Sequence, residues 1–229
     1  MLSIKKFEYV GYEKYLYSGL QGLVMRRNHH ILSQGLPSGV NKSVLEIGGA
    51  AKPHCTIVPL KGVETYWVSD RKQVFQNNPP PVHLGLKEHY FDNDPEFEDF
   101  QSAGITFSRI IASHVWEHVD DPEVALLKWV SLLDLNGIID IAIPCDPGWA
   151  WRLGQWVGRK KASKVYGISP HDLDLLMTRE HINSCQNLTR IVKAYTGKTG
   201  KYFPFLIPIT DINLFIFFRL SRADFNARW

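Results

Sequence analysis

The chain has 229 residues, 45% of them hydrophobic and 12% aromatic, enough for one well-buried core and too few to require a second. Its 26 basic and 23 acidic residues leave a formal charge of +3. Outside "GRKKASK" at 158–164 the basic residues are scattered, so no nucleic-acid partner is expected. The three cysteines, Cys55, Cys145 and Cys185, lack CxxC spacing. They make neither a disulfide framework nor a zinc set, and they suit a reducing cytoplasm.

The first forty residues carry no secretory h-region or small-residue cleavage site, so secretion is not expected. They show a helix-like pattern through "YLYSGLQGLVMRRNHHIL", an N-terminal helical cap over 1–40. Apolar runs of strand length then alternate with helix-length segments, the pattern of a mostly parallel sheet covered on both faces. The runs are 43–47, 65–70, a third around "VHLG" and "HYFDND", 107–113 and 137–144. "NNPPPV" at 77–82 cannot be a regular helix and reads as a loop. Between the fourth and fifth runs lies a helix capped by Asp121 with Pro122 in its first turn. Val124, Ala125, Leu127, Val130 and Leu133 form its expected apolar face, and "LNG" at 135–137 its exit.

A further helix is expected over 187–195, and "KYFPFLIP" with "DINLFIFFRL" as an antiparallel strand pair turning at Thr210 and Asp211. Prolines and polar residues interrupt this apolar stretch well short of the ~18–20 clean residues of a membrane span. The fold class expected is α/β, Rossmann-like and doubly wound, with seven strands, helices on both faces and that C-terminal pair. It forms a single domain over 1–229, with 145–186 as an insertion on the acceptor side.

In such a fold the turn after the first strand is where a nucleotide-like cofactor sits. Here it reads "VLEIGGAAKPH", 44–54. No Gly-Lys-Ser/Thr follows Gly48 at phosphate-loop spacing. The dinucleotide pattern GxGxxG fails from Gly48, which meets Ala50 and Pro53, and from Gly49, which meets Ala51 and His54. S-adenosylmethionine (SAM) has no phosphates. It asks for a turn under its amino-acid end, an acid near its ammonium and a second acid for its ribose diol. Glu46 and Asp70 close the first two strands, where those acids would be wanted, although either alone could be an ordinary strand end.

"VLEIGG", "YWVSD" and "ASHVWEHVDDPEVALLKWVSLLDLNGIIDIAIP" resemble the class I SAM-dependent methyltransferases. The likeness is to the type 11-like branch, whose signature runs "SHVLEHV.DP" into a helix, "LKPGG" and a strand ending in proline. It covers 44–144. Through "PCDPGWAWRLG" and "REHIN" it extends more loosely to members associated with bacterial surface-polysaccharide genes. The resemblance implies that Glu46, Gly48 and Gly49 form the loop under the methionine moiety and that Asp70 holds the ribose, with Arg71 beside it. It also places Asp92 and Asn93 near the adenine, and has Ser113 and His114 close the pocket at the fourth strand's end. Two departures stand out: the family's "FD" before the fourth strand is Phe107-Ser108, and the glycine-rich turn has become Gly-Gly-Ala-Ala-Lys-Pro.

Methyl transfer needs donor and acceptor aligned and, for a hydroxyl acceptor, a base within reach of its proton. "SHVWEHV" places His114, Glu117 and His118 just past the fourth strand. They read as pocket-shaping groups, as a base at His118, or as metal donors with Asp121. Asp121 is needed as a cap and three donors alone are no established set, so no metal is assigned. His181 in "TREHIN" is a second candidate base, falling in the segment that closes over the acceptor in the family. His171 and Asp172 have less support. Trp149, Trp151 and Trp156 with Arg152 could hold a sugar, or simply pack. The sequence therefore points to a cytoplasmic SAM-dependent methyltransferase, acting on an oxygen of a small or saccharide-type acceptor. The alternative is a non-catalytic protein that keeps the fold with a degenerate cofactor loop.

Overall fold

A computed structural model describes residues 16–79, 81, 84–91 and 97–225. The sheet has seven strands: β1 (Ser43–Ile47), β2 (Thr65–Arg71), β3 (Lys87–Phe91), β4 (Phe107–Ser113), β5 (Leu133–Pro144), β6 (Lys201–Phe203) and β7 (Phe215–Ser221). They lie in the order β3-β2-β1-β4-β5-β7-β6. The first five pair in parallel, and β7 inserts antiparallel between β5 and β6. The architecture is the expected Rossmann-like one, with β1 beside both β2 and β4. All three strands end on the same edge, because Ile47 is level with Ser69 on one side and Ala112 on the other.

The central strands read as near-continuous apolar runs because both faces are covered. On one face Val44, Val68, Ile111 and Phe217 meet α1 (Gly19–Leu32) through Met25 and Leu32, and α2 (Lys72–Asn77) through Val74 and Phe75. On the other, Leu45, Ile110 and Ile139 pack on α3 (Glu98–Ser102), α4 (Pro122–Ser131) and α7 (Cys185–Thr196). Between β5 and α7 stand α5 (Trp149–Tyr166) and α6 (Pro170–Glu180), which meet through Ala162 and Leu173. No helix among the described residues is long and apolar enough to cross a membrane.

Three expectations need correction. The helix α4 starts as expected, with the Asp121 carboxylate accepting the Val124 N–H at 3.1 Å and Pro122 in the first turn. Its buried face, however, is Ala125, Leu126, Trp129 and Val130, while Val124 is exposed. Burial of Trp129 near Trp116 sets the helix rotation. Leu133 belongs to β5, which starts four residues before Gly137 and rejoins β4 through an irregular register between Phe107 and Arg109. Finally, β6 stops at Phe203. Pro204 and Pro208 lack the N–H that a ladder needs, so 204–209 leaves the sheet and exposes Phe205, Leu206 and Ile207.

Candidate active site

The turn after β1 is held from below by Glu46 and from the side by Asp70. Glu46 is buried; Tyr66 donates to its Oε2 at 2.6 Å and the His54 N–H to both oxygens at 2.9 Å. Both oxygens are thus spent on organising the loop. Burial pushes the Glu46 carboxyl up to about 8, against the opposing pull of those two hydrogen bonds. Gly48 has φ +71°, and its N–H donates to Ser69 O at 2.7 Å. A Cβ on Gly48 would lie 1.9 Å from Val115 Cγ2, and one on Gly49 would meet the Glu46 carboxyl at 2.4 Å. Ala50, the departure from the glycine-rich pattern, is not among the residues with positive φ, so its methyl group is accommodated without backbone strain.

Asp70 closes β2 with one oxygen accepting Ala50 N–H at 3.0 Å and the other accepting Arg71 N–H at 2.8 Å. It is 7% exposed, and burial raises it to about 6 while those two N–H groups pull it back. Asp92 and Asn93 lie outside the described residues.

At the end of β4, Ser113 and His114 meet α1. Asn28 Nδ2 contacts Ser113 Oγ at 3.2 Å and His114 Nε2 at 2.6 Å. An amide N–H can only donate, so His114 carries its proton on Nδ1, which faces Glu117 Oε1 at 3.7 Å. At that distance the contact is too long for a hydrogen bond. His114 sits at φ +56°, fixed by its own N–H on Ala142 O. Asn28 is fully buried, and its Oδ1 has no hydrogen-bond partner.

Beside it runs a chain that the sequence did not reveal. Tyr17 Oη contacts His29 Nε2 at 2.6 Å, His29 Nδ1 contacts His54 Nδ1 at 2.9 Å, and His54 Nε2 contacts Ser33 Oγ at 2.8 Å. Burial drives His29 down to about 3 and His54 well below its usual range, so both rings are neutral and serve to clip α1 to the loop. The end of α1 is fastened to the sheet too. Arg109 and Arg219 both donate to Leu32 O while flanking Asp140 at 2.8 and 2.6 Å. An open cleft of about 660 Å³ is lined by Arg26 and His30 of α1 and by Lys52, Thr56 and Ile57 of the segment after β1; no residue assigned from the sequence lines it.

Past β4 the short turn Trp116–His118 faces the segment that joins α6 to α7. Asn183 binds that turn twice, its N–H donating to Glu117 O at 3.1 Å and its Nδ2 to Val119 O at 2.6 Å. His181 is thereby carried to His118, with ring centroids 4.9 Å apart. His118 Nδ1 donates to Glu180 O at 2.6 Å, and His181 Nδ1 pairs with Asp146 Oδ2 at 2.8 Å. In His118, which burial keeps neutral, that leaves Nε2 unprotonated. Burial lowers His118 despite the nearby Glu117 charge. For His181, burial acts downward, but the Asp146 bond and the Glu117 charge prevail and raise it. Glu117 is held below the usual carboxylate range: burial opposes this, and the surrounding histidines outweigh it.

Of the three tryptophans only Trp151 joins this cluster, stacking on His181 at 6.3 Å. Trp149 and Trp156, seven residues apart, share an exposed face of α5, and Arg152 is exposed too. His171 lies exposed in the first turn of α6, while Asp172 N–H donates to the Ser169 cap.

No protein-family model matches the sequence, and no curated protein is significantly similar to it. Solved structures with similar folds include an O-methyltransferase family protein of Burkholderia thailandensis, at 11% identity and TM-score 0.53 over 92% of this chain and 58% of that one. A SAM-dependent methyltransferase of Thermotoga maritima matches at 14% identity and TM-score 0.55, over 94% and 97% of the two chains. The N-methyltransferase NodS of Bradyrhizobium japonicum, in complex with S-adenosyl-L-homocysteine, matches at 15% identity and TM-score 0.50, over 93% and 98%. The chain spans little more than half the length of two of these similar structures, 58% of the Burkholderia protein and 53% of the CurJ carbon methyltransferase. The chain has the seven-stranded fold that these SAM-dependent methyltransferases share.

Proposed function

We propose that the chain is a SAM-dependent methyltransferase, working in the cytoplasm on an oxygen of a small or saccharide-type acceptor, with surface-polysaccharide biosynthesis as the setting. The observation that carries this reading is the Asp70–Ala50 hydrogen bond, which brings a buried acid at the end of β2 against the turn after β1. The residues present fit the cofactor. Asp70 uses one lone pair of each oxygen on backbone N–H groups and keeps the others for a ribose diol. Asn28 Oδ1, buried beside Ser113 without a partner, is an acceptor suited to an ammonium group. Glu46, Gly48 and Gly49 shape the loop, and His114 joins Asn28 to Glu117.

Bound SAM supplies a methyl group on a sulfonium, already activated for in-line displacement. The protein then has to align the acceptor and receive its proton. His118 is the base in this reading: its tautomer is fixed by Glu180 O, its lowered pKa keeps it neutral, and a third of the side chain reaches solvent. His181, raised and paired to Asp146, is the more readily protonated partner. Trp151 offers the aromatic surface for an acceptor ring.

Titration calorimetry with SAM and S-adenosylhomocysteine tests the cofactor, and absence of binding at millimolar concentration defeats the proposal. Labelled-methyl uptake by nucleotide sugars and glycan fragments tests the acceptor. His118→Ala is expected to spare cofactor binding and to lower turnover by about 10²-fold or more. A second reading, a non-catalytic binding or scaffold protein, is favoured by the closeness of the turn, where Ala50 is 1% exposed. Cofactor retained in the purified protein rules against it.

A further inference from the structure

We propose that Glu117, His118 and His181 form a binding site for a divalent transition-metal ion. One donor atom from each lies within 4.8 Å of the other two, and Glu117 Oε1 is 3.8 Å from His118 Nε2. A cation bound at about 2.1 Å to each would hold the donors roughly 3.4 Å apart, so the set closes with side-chain shifts of about an ångström.

A second observation points to the ligand independently. Glu117 is 2% exposed, and its Oε2 has no hydrogen-bond partner. Leaving a buried carboxylate oxygen unpaired is costly, and a cation is the group that would satisfy it. The supports around the donors are those a metal site needs. A histidine ligand characteristically gives its other N–H to a carbonyl or carboxylate, which fixes the tautomer and aims the lone pair. His118 does so to Glu180 O and His181 to Asp146 Oδ2. The Glu117 Oε1 that neighbours His118 also faces His114 at 3.7 Å, and Asn28 fixes that ring. The set is assembled from the end of β4 and the α6–α7 connection, and Asn183 clamps the two together.

Two imidazoles and one carboxylate suit Mn²⁺, Fe²⁺, Co²⁺ or Zn²⁺, whereas Mg²⁺ and Ca²⁺ favour all-oxygen sets. The inference goes beyond the methyl-transfer reading and does not depend on it. In the metal-loaded protein the His118 lone pair belongs to the cation, so direct proton acceptance by His118 is confined to the metal-free form.

The test uses the full chain, stripped with a chelator and titrated with Co²⁺, followed by visible absorption and calorimetry, with Mn²⁺ as a second probe. One saturable equivalent is expected. Glu117→Gln and His181→Gln should each lose it, and Asp146→Asn should weaken it by about 10- to 100-fold. Circular dichroism establishes that each variant is folded. If Glu117→Gln does not fold, His181→Gln, whose side chain lies nearer the surface, decides the question. Absence of saturable binding by the folded wild-type chain at millimolar Co²⁺ and Mn²⁺ would overturn the proposal, as would binding unchanged in His181→Gln. SAM titrated into the same stripped protein separates this outcome from failure of the methyltransferase reading.

Discussion

Asp70 accepts the Ala50 N–H at 3.0 Å, so the acid at the end of β2 holds the turn at the end of β1 in place. If that carboxylate also receives a ribose diol, Asp70→Asn turns one of its acceptors into a donor facing an N–H group. A hydrogen bond to a charged group contributes about 1.5–3 kcal/mol, so SAM affinity should fall about 10- to 100-fold with the fold retained. Because burial raises Asp70 to about 6, affinity of the wild-type chain should also decline as pH falls through that value, and the variant should lack this dependence. Calorimetry across pH 5 to 8 reads both effects; an affinity unchanged by the substitution removes Asp70 from the cofactor site.

Glu46 makes the opposite demand on pH. Its folded pKa, about 8, lies above the value near 4.5 that it has in an unfolded chain. Between those values the native state holds a proton that the unfolded state has released. Stability from this group is therefore fully present below the unfolded value and is lost as pH rises through about 8. The slope contributed is up to about 1.4 kcal/mol per pH unit. Glu46→Gln keeps the shape and the Tyr66 contact without the titration. Urea unfolding at several pH values should show a steeper fall toward pH 8 in the wild-type chain than in the variant, and equal slopes would contradict the assignment.

How much of this was legible in the sequence follows from the reach of each interaction. The strands β1, β2 and β4 announce themselves through short apolar runs buried on both faces, Val44 and Leu45, Tyr66 to Val68, and Ile110 to Ala112. The start of α4 is equally local, since the Asp121 cap acts three residues away. Asn28 was not legible: its partners lie 85 and 86 residues on, and nothing about an asparagine in an amphipathic helix marks which side chain it will meet. The same holds for His29 and His54, and for Arg109 with Asp140. The motif "SHVWEHV" was visible, but its relation to His181 depends on where α5 and α6 return the chain, which spacing alone does not fix. The rotation of α4 escaped because five apolar positions allow two faces, and the bulk of Trp129 chooses between them.

Arg109 has no exposed side-chain surface, and Asp140 only 1%. With Arg219 on its other oxygen, Asp140 pairs with two cations that also hold the carbonyl end of α1 through Leu32 O. Truncating one member of a buried charge cluster leaves the others uncompensated. Asp140→Ala should therefore cost about 3–5 kcal/mol, enough to leave much of the chain unfolded at moderate temperature. Arg219→Met keeps the buried Arg109–Asp140 pair and removes the half-exposed bond to Asp140 Oδ1 together with the contacts to Leu32, Gln34 and Gly35, so its cost should be about 1–3 kcal/mol. Denaturant midpoints measure the ordering. A milder effect for Asp140→Ala than for Arg219→Met would show that the cluster does not anchor α1.

Gly48 is constrained in two separable ways. At φ +71° any side chain adopts a left-handed conformation, which costs about 1–2 kcal/mol, and a Cβ there would also lie 1.9 Å from Val115 Cγ2. Gly48→Ala should therefore destabilise by about 2–4 kcal/mol, the steric part adding to the backbone part. Val115→Ala removes the methyl in the way and leaves the backbone as it was. In a double-mutant cycle the pair should be less destabilised than the sum of the single changes, by about 1–2 kcal/mol, because Val115 no longer opposes the new Cβ. The double variant should still fall below Val115→Ala alone, by the residual cost of the left-handed alanine. Strict additivity would mean that Val115 moves aside freely, and would leave the backbone as the sole reason for glycine at this turn.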